Sequence, residues 1–272
     1  MSARGLRAGA FVAALACSGC VTMPAGFYDS APLDDPAVGG CGWTGRYASP
    51  VVYTESDHIR GYFEPTNLAA YRQAIGSVFT MPERPLIRVS FLDFYGMANG
   101  PIYLESEVSV AVLHDGVPGW LVLTMPVNDG DSCGGGRMAL GTPKVVRRIT
   151  FERAADRFVG TSFARGARAP DFTLAVDLVE PGPAAREVLR ATAAFSEIFI
   201  LNGRVVKYPG RRVPVYELER ALPAIWTVRL GRAQLEIPPD PDNLLRRLGV
   251  GAPLAAYWGQ MRFRYSLVPG KP

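Results

Sequence analysis

Short runs of alternating or continuous apolar residues, closed off repeatedly by proline or glycine, constrain this chain more than any other feature. The runs fall at 86–91, 102–113, 120–127, 172–178, 198–206 and 261–267. Successive side chains of a strand point to opposite faces, so a period of two, or an unbroken apolar run between turn residues, predicts β-strands. The 23 prolines and 29 glycines are spread along the chain instead of gathered in one tract, which makes them punctuation between strands. Helix signals are few. The stretch 66–75 begins with capping residue types and places Leu68, Tyr71 and Ile75 on one face; 183–195 is a second candidate and 241–248 a third, with Asp242 as its cap. The expected fold class is mainly β (α+β), curved antiparallel sheets with few peripheral helices.

At 272 residues the chain has room for one β-rich domain behind an N-terminal leader. Arg4 and Arg7 precede a short apolar stretch at 8–16 and small residues follow, the pattern of an export signal and too short to span a bilayer. Ser18-Gly19-Cys20 resembles a bacterial lipoprotein cleavage site at which Cys20 becomes the lipidated first residue, although Cys17 stands where leucine is usual. The expected division is a signal peptide over 1–20, a tether rich in Pro, Gly, Asp and Ala over 21–45, and a folded domain over 46–272. This places the protein in a bacterial cell envelope, as an outer-membrane lipoprotein or a periplasmic protein, with a lipid anchor as its contact with the membrane. In that oxidising compartment Cys41 and Cys133 are free to form a disulfide; two separate thiols remain the alternative.

Several function classes lack raw material. The net charge of +4 is dispersed, with no basic run to mark a nucleic-acid surface, so nucleic acid is not an expected partner. His58 and His114 are the only histidines and no Cys-x-x-Cys pair occurs, so neither a metal site nor a Ser-His-Asp triad is expected. No Gly-x-Ser-x-Gly elbow and no Gly-x-Gly-x-x-Gly between strand and helix is present, and no cofactor is expected. What stands out is lysine: there are three, Lys144, Lys207 and Lys271, among 29 basic residues. Where only positive charge is needed this chain uses arginine, whereas a reacting amine must be lysine, because guanidinium does not deprotonate in proteins.

Lys144 lies in the least ordinary stretch, residues 133–146, which runs through a glycine cluster, Arg137, Met138 and Pro143. The glycine-to-lysine spacing and the Val145 that follows are wrong for a phosphate loop. A lysine after a proline turn is ordinarily a surface residue. An amine desolvated by neighbours such as Leu140, Val145 and Val146 would instead be nucleophilic at neutral pH. On the run from 102, Glu105 and Glu107 share a face with Tyr103 and Ser109, which by itself reads as a solvated sheet face.

Gly136-Arg137 followed by Pro143-Lys144 resembles the segment of the acetoacetate decarboxylase family that bears its imine-forming lysine. Tyr103-Leu104-Glu105-Ser106 is similar to the family strand that carries an active-site glutamate, Arg60-Gly61-Tyr62-Phe63 to its early arginine segment, and Trp226 with Gly231-Arg232-Ala233-Gln234-Leu235 to its C-terminal run. The resemblance spans about 58–268. It implies antiparallel sheets that form a closed or partly closed barrel around the lysine. It also implies a Schiff-base lyase in which Lys144 attacks a β-keto or other keto acid. Glu105 would act as acid or base, Arg60 would position Glu105 or bind a substrate carboxylate, and Arg137 and Met138 would line the substrate site. The family often forms oligomers, so a homo-oligomer is implied, which a lipid anchor would limit. Val145 replaces the family's second lysine, Met138 its glutamate after Gly-Arg, and a further glutamate falls near Ser90. These departures leave open an aldol or dehydratase variant. They also leave open a non-catalytic envelope protein that binds an apolar or carboxylated ligand or serves a structural role.

Overall fold

A computed structural model describes residues 34–35, 37–42, 44, 51–137, 142–166, 169–201, 204–208, 216–218, 224–265 and 267–269. The first half of the chain contains β1 (Val51–Pro65), α1 (Leu68–Ile75), β2 (Ile87–Met97), β3 (Tyr103–His114), β4 (Val117–Val127), α2 (Gly130–Gly135) and β5 (Lys144–Val146). Then come β6 (Ile149–Arg153), β7 (Arg157–Phe163), β8 (Pro170–Asp177), α3 (Pro183–Thr192), β9 (Ser196–Leu201) and β10 (Arg204–Tyr208). The chain ends with β11 (Tyr216–Leu218), β12 (Ala224–Glu236), α4 (Leu244–Leu248), β13 (Val250–Tyr265) and β14 (Leu267–Pro269). Among the described residues no helix is long and apolar enough to cross a membrane.

Twelve strands join one large sheet in the order β10-β9-β4-β3-β2-β1-β13-β12-β8-β7-β6, with β5 paired beside β4; β11 and β14 form a separate pair. Of the closed or partly closed barrel expected, closure is not found: among the described residues β10 and β6 end the sheet without pairing with each other. The sheet is antiparallel except on the outer edge of β4. There Gly119–Leu121 pair in parallel with β9, and Met125–Val127 pair in parallel with β5. Two strands distant in sequence are thereby set end to end along one edge.

The period-two pattern sorts residues as expected on one face. Ile59, Ile87, Val89, Phe91, Val108, Val110 and Leu121 are buried in the main core, under α1, α4 and strands β6–β8, which fold across this face. Burial of such side chains is worth about 1.5–3 kcal/mol each and is the chief force holding the layers together. Phe91 needs an unusual accommodation: a Cβ on Gly160 would lie 2.2 Å from its Cγ, so β7 passes flush over the ring only because residue 160 has no side chain.

Three expectations change in detail. The run 198–206 is two antiparallel strands, β9 and β10, with residues between them that break the apolar pattern. The third helix starts at Leu244, capped by the Asn243 side chain, which accepts from Leu245 N and Arg246 N; Asp242 lies one residue too early to do so. The face bearing Glu105 and Glu107 is not solvated, since both carboxylates are buried. Of the stretch expected to be a tether, residues 34–44 are bonded to the body where described. Asp35 N donates to Val146 O at 2.9 Å, Gly42 N to Gly130 O at 3.1 Å, and Cys41 is joined to Cys133 by a disulfide.

Candidate active site

Strand register places the chemistry. Across the face opposite the main core, Arg60 on β1 stands beside Ser90 on β2, and Ser90 beside Glu107 on β3. One step along, His58, Leu92 and Glu105 form the next row. Beyond β3, the outer edge of β4 carries Lys144 opposite Met125 and Glu197 opposite Trp120. The parallel pairings of β5 and β9 therefore bring a lysine and a third carboxylate to strands that already hold Glu105 and Glu107. Two apolar clusters bound this polar field: Tyr53, Leu92, Phe94, Tyr103 and Val146 at one end, Tyr62, Trp120, Val188 and Tyr257 at the other.

Lys144 is buried, 7% exposed, so the reading of it as an ordinary surface lysine does not hold. Its Nζ is 2.8 Å from Glu105 Oε2, donates at 3.5 Å to the Tyr103 hydroxyl, and sits 4.9 Å from the centroid of that ring. The Tyr103 hydroxyl is in turn 3.1 Å from that of Tyr53. Val145, next along β5, is on the opposite face by strand alternation, so it takes no part at the amine. The lysine stem threads against Gly136, where a Cβ would lie 2.6 Å from Lys144 Cδ and 2.7 Å from Thr142 Oγ1. Gly136 is thus required for close approach, which gives the glycine cluster a physical role.

The carboxylates differ by environment. Burial pushes Glu105 above the usual glutamate range, the Lys144 ammonium opposes this, and Glu107 and Glu197 add to it. At Glu107 burial acts in the same direction, but the Arg88 and Arg60 guanidiniums and hydrogen bonds from Ser109 and Arg88 outweigh it and hold the group below its ordinary value. Glu197 is raised, by burial first, although Arg88 donates to it at 2.6 Å. Arg88 itself is 1% exposed, binds Glu107, Glu197 and Ser109, and stacks 4.7 Å from the Trp120 ring centre. Three cations, Arg60, Arg88 and Lys144, thus face three carboxylates, Glu105, Glu107 and Glu197. His58 Nε2 is 2.9 Å from Ser56 Oγ, and burial followed by the charge of Arg60 holds its imidazole well below 6.5, in the neutral form.

Of the residues expected from sequence, Lys144 and Glu105 meet. Arg60 makes no ion pair with Glu105; its Nε and the Ser90 Oγ opposite it are buried and unpaired among the described residues. Arg137 binds the backbone instead of facing the amine: its Nε donates to Lys144 O at 2.6 Å and its Nη2 to Asp34 Oδ1 at 3.1 Å. Met138 and Cys20 lie outside the described residues, as does the side chain of Trp226. Arg88, Glu197, Tyr53 and a role for Tyr103 were missed. An arginine inside the apolar run 86–91 is a signal, since a buried guanidinium demands a carboxylate; Tyr103 shares the face of Glu105 two residues away. Glu197 carries no local signal.

A family model described as acetoacetate decarboxylase (ADC) matches residues 63–269. No curated protein matches the chain significantly. Among solved structures, an acetoacetate decarboxylase from Legionella pneumophila superposes with a TM-score of 0.64 at 14% identity, covering 85% of this chain and 91% of that one. The enduracididine biosynthesis enzyme MppR complexed with pyruvate gives 0.57 at 12% identity, covering 79% and 88%. An acetoacetate decarboxylase-like enzyme from Sphingomonas wittichii RW1 gives 0.55 at 15% identity, covering 82% and 92%. Identities this low carry the mainly β architecture with its large mixed sheet, and the family match rests on the sequence model: the chain belongs to the acetoacetate decarboxylase family.

Proposed function

We propose that this protein is a Schiff-base lyase that acts on a keto acid through Lys144. The observation that carries the reading is a buried amine 2.8 Å from a buried carboxylate, Glu105, whose proton affinity is raised by burial. An ammonium cannot attack a carbonyl. Glu105 takes its proton, the freed electron pair bonds to the keto carbon, and Glu105 passes that proton and then the one the bonded nitrogen sheds to the carbonyl oxygen, which leaves as water. The resulting iminium accepts the electron pair of the bond to a carboxylate that departs as carbon dioxide, or of an adjacent C–H bond whose proton passes to the Glu105 carboxylate, giving an enamine. Protonation and hydrolysis of the enamine release a ketone, whereas addition to an aldehyde gives an aldol product. Arg60, with Nε unpaired on the same face, is the group suited to the substrate carboxylate. A neighbouring fold holds pyruvate in MppR, and another MppR structure holds the condensation product of pyruvate and imidazole 4-carboxaldehyde. These support a keto acid as the substrate class and keep both enamine fates in view.

The test is to incubate the protein with acetoacetate or pyruvate, reduce with borohydride and map the adduct by mass spectrometry. An adduct on Lys144 that is lost in Lys144→Arg is expected. If a panel of keto acids leaves the lysine unmodified, ligand binding without catalysis replaces this reading. Carbon dioxide release then separates decarboxylation from aldol or dehydration chemistry.

We also propose export to the cell envelope with Cys20 as the lipidated residue. The leader pattern supports it, as does the Cys41–Cys133 disulfide, a bond that persists in oxidising compartments. Palmitate labelling that is lost in Cys20→Ala is expected; unlabelled protein would remove the anchor from the reading.

A further inference from the structure

β5 is only three residues long, and one of its edges belongs to β4. On that side Met125 N donates to Pro143 O at 3.2 Å and Arg147 N to Val127 O at 2.8 Å. Every other residue of a strand turns its backbone groups the opposite way, so Lys144 and Val146 present theirs to the outer edge. A short strand with one free edge would fray, and the amine it carries would lose its place beside Glu105. The free edge is occupied. Arg137 Nε donates to Lys144 O at 2.6 Å, Val146 N donates to Asp34 Oδ1 at 3.0 Å, and Asp35 N donates to Val146 O at 2.9 Å. Asp34 joins these bonds into one unit: its Oδ1 also accepts from Arg137 Nη2 at 3.1 Å, and its Oδ2 from Cys41 N at 3.1 Å.

We propose that Asp34 is a positioning residue for Lys144, acting through Arg137 and the Val146 amide, and that the Cys41–Cys133 disulfide holds Asp34 in place. Asp34 and Cys41 lie ahead of the matched residues 63–269, whereas Arg137 and Cys133 lie within them. The disulfide ties the N-terminal segment to α2, the element that leads into Gly136 and the lysine stem. Gly42 N donates to Gly130 O at 3.1 Å, and a Cβ on Gly130 would lie 2.3 Å from Gly40 O, so the two backbones are in direct contact. Thr44 Oγ1 adds a bond to Asp131 Oδ1 at 2.9 Å. Asp34 touches no part of the amine; it sets where the strand carrying the amine runs.

The proposal rests on imine formation by Lys144, and its test separates the two. Full-length protein, Asp34→Ala, Arg137→Ala and the double variant are mixed with keto acid, and the rate of borohydride-trapped adduct is followed as concentration is raised. A displacement of the nucleophile lowers the rate at saturation, by about 10- to 100-fold, with little change in the half-saturating concentration. Because both side chains act along one path, the double variant is expected to lose no more than the worse single variant. Reduction of the disulfide with dithiothreitol is expected to produce the same loss in the wild type and none beyond it in Asp34→Ala. A wild-type saturating rate in Asp34→Ala would overturn the positioning role, and an undiminished rate after reduction would overturn the role of the disulfide. If the wild type forms no adduct, the imine reading fails, and acetic anhydride then decides this one. Acetylation of Lys144 relative to Lys207 and Lys271 that shifts in Asp34→Ala supports positioning; an unchanged ratio rejects it.

Discussion

The two faces of the β1–β4 sheet are built from alternate residues of the same strands, yet they are held by different forces. On one face Ile59, Val89, Phe91 and Val108 pack into the main core, where the gain is non-directional and scales with area. On the other, Arg88, Lys144, Glu105 and Glu107 are withdrawn from water almost as completely, and only mutual pairing makes this tolerable. Each side also keeps a glycine for close approach, Gly160 beneath Phe91 and Gly136 beside the Lys144 stem. The difference teaches that burial alone does not mark a core. One face stores stability, and the other spends part of it to hold charges at fixed places.

Substitution of Glu105 by Gln tests the comparison most severely, since it removes the proton acceptor while preserving shape. Steady-state turnover should fall by roughly 10²- to 10⁴-fold. In the parent protein kcat/KM should rise with pH through a value above 4.5, because burial raises Glu105 and the base works only when ionised; the Gln variant should lose this limb. On the stability side, Arg88→Met leaves Glu107 and Glu197 without their cation and should cost about 3–5 kcal/mol in urea unfolding. Phe91→Ala on the other face should cost a similar amount, about 3–5 kcal/mol, through its cavity. The two diverge when neighbours are changed: adding Glu107→Leu and Glu197→Leu to Arg88→Met should recover most of the loss. If it does not, pairing is not what holds the polar face.

The glycines give a finer dissociation. Gly136→Ala should slow adduct formation about 10-fold or more by shifting the lysine stem, with a small change in Tm. Gly160→Ala should lower stability by about 1–3 kcal/mol through overpacking while adduct formation is retained. The smallest expected effect is acid sensitivity. His58 is held neutral, well below 6.5, so the unfolded chain takes up the proton first as pH falls. Stability should therefore be full above 6.5 and decline below it toward the folded-state value, by up to about 1.4 kcal/mol per pH unit. His58→Gln should flatten that slope in thermal melts between about pH 6.5 and 5.

Much of the apolar face was legible in the sequence because alternation is a local signal: Ile87, Val89 and Phe91 repeat every second residue and all are buried. The same signal misled at Glu105 and Glu107. A polar row reads as solvated unless the chain around it is known, and here the apolar clusters that bound it draw on α3 and the segment around Cys133, both remote in sequence. The lysine and Glu105 were legible through their flanking residues. The register that sets Arg60 beside Ser90 was not legible, and neither was Glu197, since its partner Arg88 lies 109 residues away.

What the sequence determined by itself is the strand content, the rarity of lysine and the family pattern around Lys144, because each is written in neighbouring residues. Only the tertiary structure decided that the sheet stays open, that β5 and β9 divide one edge of β4, and that the residues read as a tether bind the lysine strand. Those outcomes depend on which distant backbones share hydrogen bonds. Lys144 is thus the same residue in both accounts, but its partner, its burial and its hold on the sheet come from contacts that no local pattern encodes.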